Sequence, residues 1–214
     1  MCKKGIITKR SLIMNKFLMG GAAALLVAGV SYLGYKEVKE NSKEAQEAVI
    51  NREDRWVDFI PNSGRFKVLL PGTPQYAKDE IDIPETNYKR HYEIYASEEH
   101  DGTVYMINVI NYPKEFDTSN VEKMLETVIH EFKGSRSDNK LGHMQKNEKG
   151  TPPNADFKIE NSEFVIAGRA YLDGRTIVVL SCIAPIQMFN EKEFERYVNS
   201  FVLLKKNHES GDNP

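Results

Sequence analysis

Apolar positions along this chain fall into three textures: one continuous run, several alternating runs and two helical ones. Residues 17–35 (FLMGGAAALLVAGVSYLGY) are uncharged and continuously apolar. A helix rises about 1.5 Å per residue and needs roughly 17 to 25 residues to cross a bilayer core, so this run predicts a transmembrane helix. Residues 36–55 are dominated by Glu, Lys, Ala, Asn and Gln and predict a polar stalk or linker. Trp56 opens a different texture, in which short β-rich runs are punctuated by Pro, Gly and Asn. The globular domain is therefore placed at 56–204.

Within it, residues 56–60 and 66–70 predict two short strands separated by Pro61-Asn62-Ser63-Gly64, and Pro71-Gly72-Thr73-Pro74 ends the second. Residues 88–97 and 103–112 are β-branched and aromatic, and the Asp101-Gly102 pair between them supplies the positive-φ positions of a hairpin turn. A further strand is predicted at 142–147. A meander follows at 156–160, 163–172 and 175–183, with turns at Glu160-Asn161-Ser162 and Asp173-Gly174.

Helical spacing is clearest at Val121, Met124, Leu125, Val128, Ile129 and Phe132. Ser119 and Glu122 read as a capping box before them, and Gly134 closes the pattern. A second helix is predicted after Asn190, with Glu193 at its third position and Phe194, Tyr197, Val198 and Phe201 inward. Residues 176–183 (TIVVLSCI) are apolar on both faces, so both faces of the sheet should be covered. The predicted fold class is α+β: a largely antiparallel sheet with a helix on each face, an α/β/α sandwich, preceded by one transmembrane helix. Residues 205–214 are expected to be disordered.

Charge gives the apolar run an orientation. The first 35 residues carry five Lys or Arg and no Asp or Glu, which leaves 24 basic against 31 acidic residues beyond, a difference of −7. The positive-inside rule then keeps residues 1–16 in the cytoplasm and places the domain across the membrane. A cleavable secretory signal is the main competing reading, with Val27-Ala28-Gly29 as a weak cleavage site, although Tyr32, Leu33 and Tyr35 continue the apolar run past it. A buried soluble helix is the third. Gly20, Ala24 and Ala28 form a small-residue stripe of the kind that permits helix packing, but such residues are common in any span. An acidic outer domain is a poor nucleic-acid binder, because that function neutralises phosphates with clustered Lys and Arg. Cys2 and Cys182 would lie on opposite sides of the membrane and could not pair, so the core alone must hold the domain. Cys182, in an apolar strand pattern, reads as buried and inert.

Candidate chemistry is sparse. Glu98-Glu99-His100-Asp101 at the hairpin tip collects metal-ligating groups, but neighbours in a tight turn rarely converge on one point. Lys89-Arg90-His91 could bind an anion, yet alternation sends Arg90 to the opposite face from Lys89 and His91, and a charged edge that discourages aggregation is the simpler reading. His130 and His143 have no acid or nucleophile at recognisable spacing. Ser63-Gly64, Gly134-Ser135-Arg136-Ser137 and Ala167-Gly168-Arg169 match no phosphate-binding loop, and the chain holds no Gly-x-Ser-x-Gly or His-Glu-x-x-His motif. No residue is assigned a catalytic, cofactor-binding or metal-binding role, and no cofactor is implied.

The run Phe66-Lys67-Val68-Leu69-Leu70-Pro71-Gly72-Thr73-Pro74 resembles the opening F-x-V-x-x-P-G-x-P of bacterial exported domains with the PsbP-like fold. The stretch from Ala170-Tyr171-Leu172-Asp173-Gly174-Arg175 through Phe194 to Ser200-Phe201 looks like the end of those domains, where a hairpin leads to a helix ending in Ser-Phe. The resemblance covers roughly 56–204. It implies an α/β/α sandwich around an antiparallel sheet. That superfamily includes the PsbP subunits of photosystem II, DcrB-like envelope proteins and several mycobacterial lipoproteins, most of them accessory or binding proteins, and its members share no catalytic residues. The lipid-anchoring cysteine of several relatives has no counterpart after the apolar run here, so an uncleaved helix would replace it.

These readings converge on a bacterial envelope protein. It would be single-pass in the inner (cytoplasmic) membrane, with its C-terminal domain in the periplasm or outside the cell, serving as a non-enzymatic accessory or protein-docking module with a protein partner. The alternative is a small-molecule or lipid-binding protein that uses a cleft between the sheet and one helix, lined by Tyr92, Tyr105 or Met106. An enzyme of unrecognised class is the third reading, which a cleft of polar groups with perturbed titration would favour.

Overall fold

Ten strands and two helices are formed by the residues that the computed structural model describes, 56–204. The basic N-terminus (1–16), the apolar run (17–35), the stalk (36–55) and the tail (205–214) lie outside them. No helix among the described residues is long and apolar enough to cross a membrane.

The strands are β1 (Val57–Phe59), β2 (Phe66–Leu70), β3 (Gln75–Asp82), β4 (Lys89–Glu98), β5 (Val104–Asn111), β6 (Lys140–Asn147), β7 (Asn154–Glu160), β8 (Phe164–Asp173), β9 (Thr176–Pro185) and β10 (Val202–Leu203). Helix α1 spans Val121–Lys133 and α2 spans Glu191–Asn199. Seven strands form one antiparallel sheet in the order β3-β4-β5-β9-β8-β7-β6, and β1-β2-β10 form a second, smaller sheet. Helix α1 carries the chain from β5, inside the large sheet, to the far edge at β6, and the meander β6 to β9 then returns to pair with β5. Strand β9, read as apolar on both faces, is buried along all ten residues.

Two cores follow from the alternation of side chains across the large sheet. On one face Tyr92, Ile94, Met106, Ile110, Phe157, Ile177 and Val179 pack under Leu125, Val128, Ile129 and Phe132 of α1. On the other, Tyr95, Tyr105, Ile107, Val178, Leu180 and Cys182 meet Phe66, Val68 and Leu70 of β2 and Phe194, Tyr197 and Val198 of α2. The Tyr197 hydroxyl donates to the Met106 carbonyl at 2.9 Å, tying α2 to the large sheet. Trp56 enters this second core edge-on to Tyr105, with the Arg196 guanidinium over its ring at 5.0 Å.

The α/β/α sandwich with a helix on each face is not what the chain forms. Strand residues far outnumber helical ones, α2 has only nine residues, and much of the second face is covered by the β1-β2-β10 sheet. Cover on that face is also incomplete. Its flanks carry Lys78, Glu80, His91 and Glu93 on one side and Asp156, Lys158 and Arg169 on the other, none of them buried, which is how an uncovered antiparallel face reads. Sequence patterning missed this because 66–70 is one short apolar strand. Its role as a lid depends on partners, β1 and β10, that are far apart in the chain.

Local signals fared unevenly. Asn190 caps α2, its Oδ1 accepting from the amides of Lys192 and Glu193 at 3.1 and 3.4 Å. At α1 the cap is Asn120, whose Oδ1 accepts from the Lys123 amide at 2.9 Å, and not Ser119. Gly134 closes α1 at φ 63°, and Gly102 and Gly174 take the positive φ that the two hairpins predict.

Candidate functional site

An open groove of about 1180 Å³ lies where the small sheet meets the end of the β8–β9 hairpin. Three segments build it. The first is the loop 151–153, whose Pro153 carbonyl accepts from the Leu172 amide at 2.9 Å and whose Pro152 carbonyl accepts from Asn154 Nδ2 at 3.1 Å. The second is the hairpin end at 171–174. The third is the chain leaving α2, where the Ser200 hydroxyl donates to the Tyr197 carbonyl at 2.7 Å and accepts from the Leu69 amide at 2.9 Å, turning residues 201–204 alongside β2.

Aromatic packing makes the floor. Phe201 stacks on Tyr171 with centroids 4.6 Å apart and also contacts Phe66 at 5.5 Å. Burial raises the pKa of the Tyr171 phenol, with nearby Arg169 pulling the other way, so this ring is neutral at physiological pH. Leu203 and the two prolines add apolar walls.

Arg65 supplies the charge. Its Nη1 donates to Asn111 Oδ1 at 2.9 Å and its Nη2 to Thr176 Oγ1 at 2.7 Å, and the Thr176 hydroxyl in turn donates to Asn111 Oδ1 at 2.9 Å. Among the described residues no carboxylate pairs with Arg65. Asp173 lines the same groove without touching it.

The residues singled out from sequence lie elsewhere. At the hairpin tip the Asp101 carboxylate accepts from the Thr103 amide at 2.9 Å, and no group of three potential metal ligands occurs among the described residues. Lys89-Arg90-His91 is not an edge, because β4 lies between β3 and β5. Alternation does separate Arg90 from its neighbours: Lys89 and His91 are exposed and Arg90 is buried. Arg90 bonds Glu131 at 2.8 Å and the Tyr112 hydroxyl at 3.1 Å, and its guanidinium sits over the Tyr92 and Tyr112 rings. His130 and His143 are exposed. Gly64 and Gly134 occupy turns, whereas Gly168 lies in the core of β8. In the 134–137 loop the Arg136 fork holds the exposed Asp138 carboxyl down to about 2.

Tyr92, Tyr105 and Met106 cannot line one cleft. Tyr92 and Met106 face α1, Tyr105 faces α2, and all three are buried. Cys182 is buried beside Tyr105, and burial pushes its thiol pKa up. With Cys2 replaced by serine, the protein is expected to resist a thiol-specific disulfide reagent in native buffer and to react at once in denaturing guanidinium; rapid labelling of the folded protein would contradict this burial.

Sequence reasoning missed the groove itself. Two signals pointed to it: Pro152-Pro153 directly before a strand, and the apolar run 201–204 continuing past the end of α2.

The chain matches no protein-family model and no curated protein. Among solved structures it is similar to the solution structure of cyanobacterial PsbP (CyanoP) from Synechocystis sp. PCC 6803. The identity is 9%, the match covers 70% of this chain and 93% of that one, and the TM-score is 0.47.

Proposed function

We propose that this protein is a non-enzymatic docking module, held at the outer face of the cytoplasmic membrane by residues 17–35, whose groove receives an extended segment of an envelope protein partner. The observation that carries the reading is the groove: it is open to solvent, has a stacked aromatic floor and proline walls, and lies beside β10, an edge strand among the described residues. Aromatic anchors beside a free strand edge suit an extended peptide, which gains main-chain hydrogen bonds along the edge and specificity from side-chain pockets. The α1-side cleft lined by Tyr92 and Met106 has no such support, since both residues are packed under the helix.

Site-specific photo-crosslinking in intact cells tests the proposal. A benzoylphenylalanine at Leu203 is expected to give one discrete adduct in the membrane fraction, mapping to a contiguous segment of a single partner, whereas the same group at the exposed Lys78 gives none. Identical adducts from both positions, or none from Leu203, would refute it.

A further inference from the structure

We infer that the groove reads one carboxylate of its peptide partner through Arg65, an inference that rests on the docking reading above. A guanidinium has five N–H donors in a planar fork. Asn111 and Thr176 take two of those on Arg65, and they do so from one side, fixing the plane of the fork while leaving three donors without a partner among the described residues. Both fixing groups are neutral, so among the described residues the charge is uncompensated by contact. Arg90, Arg136, Arg169 and Arg196 each pair with a carboxylate, and Arg175, which like Arg65 does not, spends its Nη1 on the Pro113 and Phe116 carbonyls outside the groove.

Backbone geometry supplies the second half of the recognition. The Leu204 amide donates to the Arg65 carbonyl at 2.9 Å, so residues 202 and 204 direct their main-chain groups toward β2. The alternation of an antiparallel ladder then sends the N–H and C=O of Leu203 to the edge of β10 that no described strand covers, beside the groove. A peptide laid along this edge bonds Leu203, rests an apolar side chain on the floor of Phe201 and Tyr171, and brings a neighbouring carboxylate to Arg65. Asp173 adds a negative charge to the same groove. It limits the partner to one acid there and disfavours an acidic cluster.

The experiment uses the full-length chain in nanodiscs, panned against a phage-displayed library of random heptapeptides. Enriched peptides are expected to carry a single Asp or Glu next to a large apolar residue. In solution, changing that acid to its amide should weaken binding about tenfold on the wild-type protein but change it little on Arg65→Gln. Asp173→Asn should tighten the acidic peptide roughly threefold through relief of like-charge repulsion. Because Arg65 also ties Asn111 to Thr176, its variant is checked by thermal melting, while the acid-to-amide change in the peptide leaves the protein untouched. A consensus without an acid, or an acidic peptide indifferent to Arg65→Gln, overturns the inference; if the Leu203 adduct persists in that case, the docking reading stands alone. No enriched peptide, or sodium dodecanoate displacing every selected peptide, also overturns it.

Discussion

Gly168→Ala is expected to destabilise the domain by about 3 kcal/mol, the upper end of what overpacking a well-filled core costs. A Cβ at this position would sit 2.3 Å from Phe157 Cζ, 2.6 Å from Cε1 and 2.9 Å from the Leu180 carbonyl oxygen. Phe157 lies directly opposite Gly168 in the β7–β8 ladder, and its ring is trapped between that glycine and Phe132 of α1, 5.6 Å away. The ring therefore has nowhere to go without moving the helix. Chemical denaturation of the single variant, of Phe157→Leu and of the double variant checks the mechanism. Phe157→Leu alone should cost about 1 kcal/mol, and the double variant should be less destabilised than the two singles summed, because the smaller side chain vacates the space that the methyl needs. Simple additivity would place the strain at the Leu180 carbonyl instead of the ring.

Glu131→Ala is expected to cost about 2 kcal/mol, below the range for a fully buried pair because Glu131 keeps contact with water. The two partners are unequal: the Arg90 side chain is 7% exposed and that of Glu131 is 31%. Burial alone would lower the Arg90 pKa, but the bond it donates to Glu131 outweighs this, and the buried cation depends on that carboxylate for compensation. Removing the carboxylate strands a cation beneath α1, with only the Tyr92 and Tyr112 rings and one hydroxyl as compensation. Replacing both partners, as Arg90→Met with Glu131→Leu, should cost less than Glu131→Ala alone, since no charge is then left unpaired. Equilibrium urea midpoints with unchanged m-values decide this. A loss below about 0.5 kcal/mol for Glu131→Ala would make the pair an ordinary surface contact.

What the sequence revealed of the fold follows a physical divide. Elements whose burial is set by their own residues were legible: α1 through the spacing from Val121 to Phe132, β9 through its unbroken apolar run, and the hairpin turns through Gly102 and Gly174. Elements defined by their partners were not. Strand β3 has four charged residues in eight and carries no alternating apolar pattern, because one of its edges is open among the described residues and its faces are largely wet. Strand β10 is two residues long and exists only because β2 is beside it. Arg90 is the sharpest case. Alternation placed it on the opposite face from Lys89 and His91, but the charged triplet suggested an exposed edge, and only pairing with Glu131, 41 residues away, reconciles a cation with the core. The groove was hidden for a related reason. Arg65, Pro152, Tyr171 and Phe201 come from four separate stretches, and nothing in any one of them marks a shared wall.

The small sheet also determines how the domain carries tension. Strand β1 begins opposite Leu70, at one end of β2, and β10 ends opposite Phe66, at the other. A load applied between residues 56 and 204 therefore pulls along the strands in opposite directions, stretching the ladder bonds of β2 together instead of opening them one at a time. Trp56, packed edge-on to Tyr105 with the Arg196 guanidinium over its ring, takes up that load at the N-terminal end of the domain. A pull on residue 56 would therefore reach the β10 edge through β2 while Trp56 loads β5 through Tyr105.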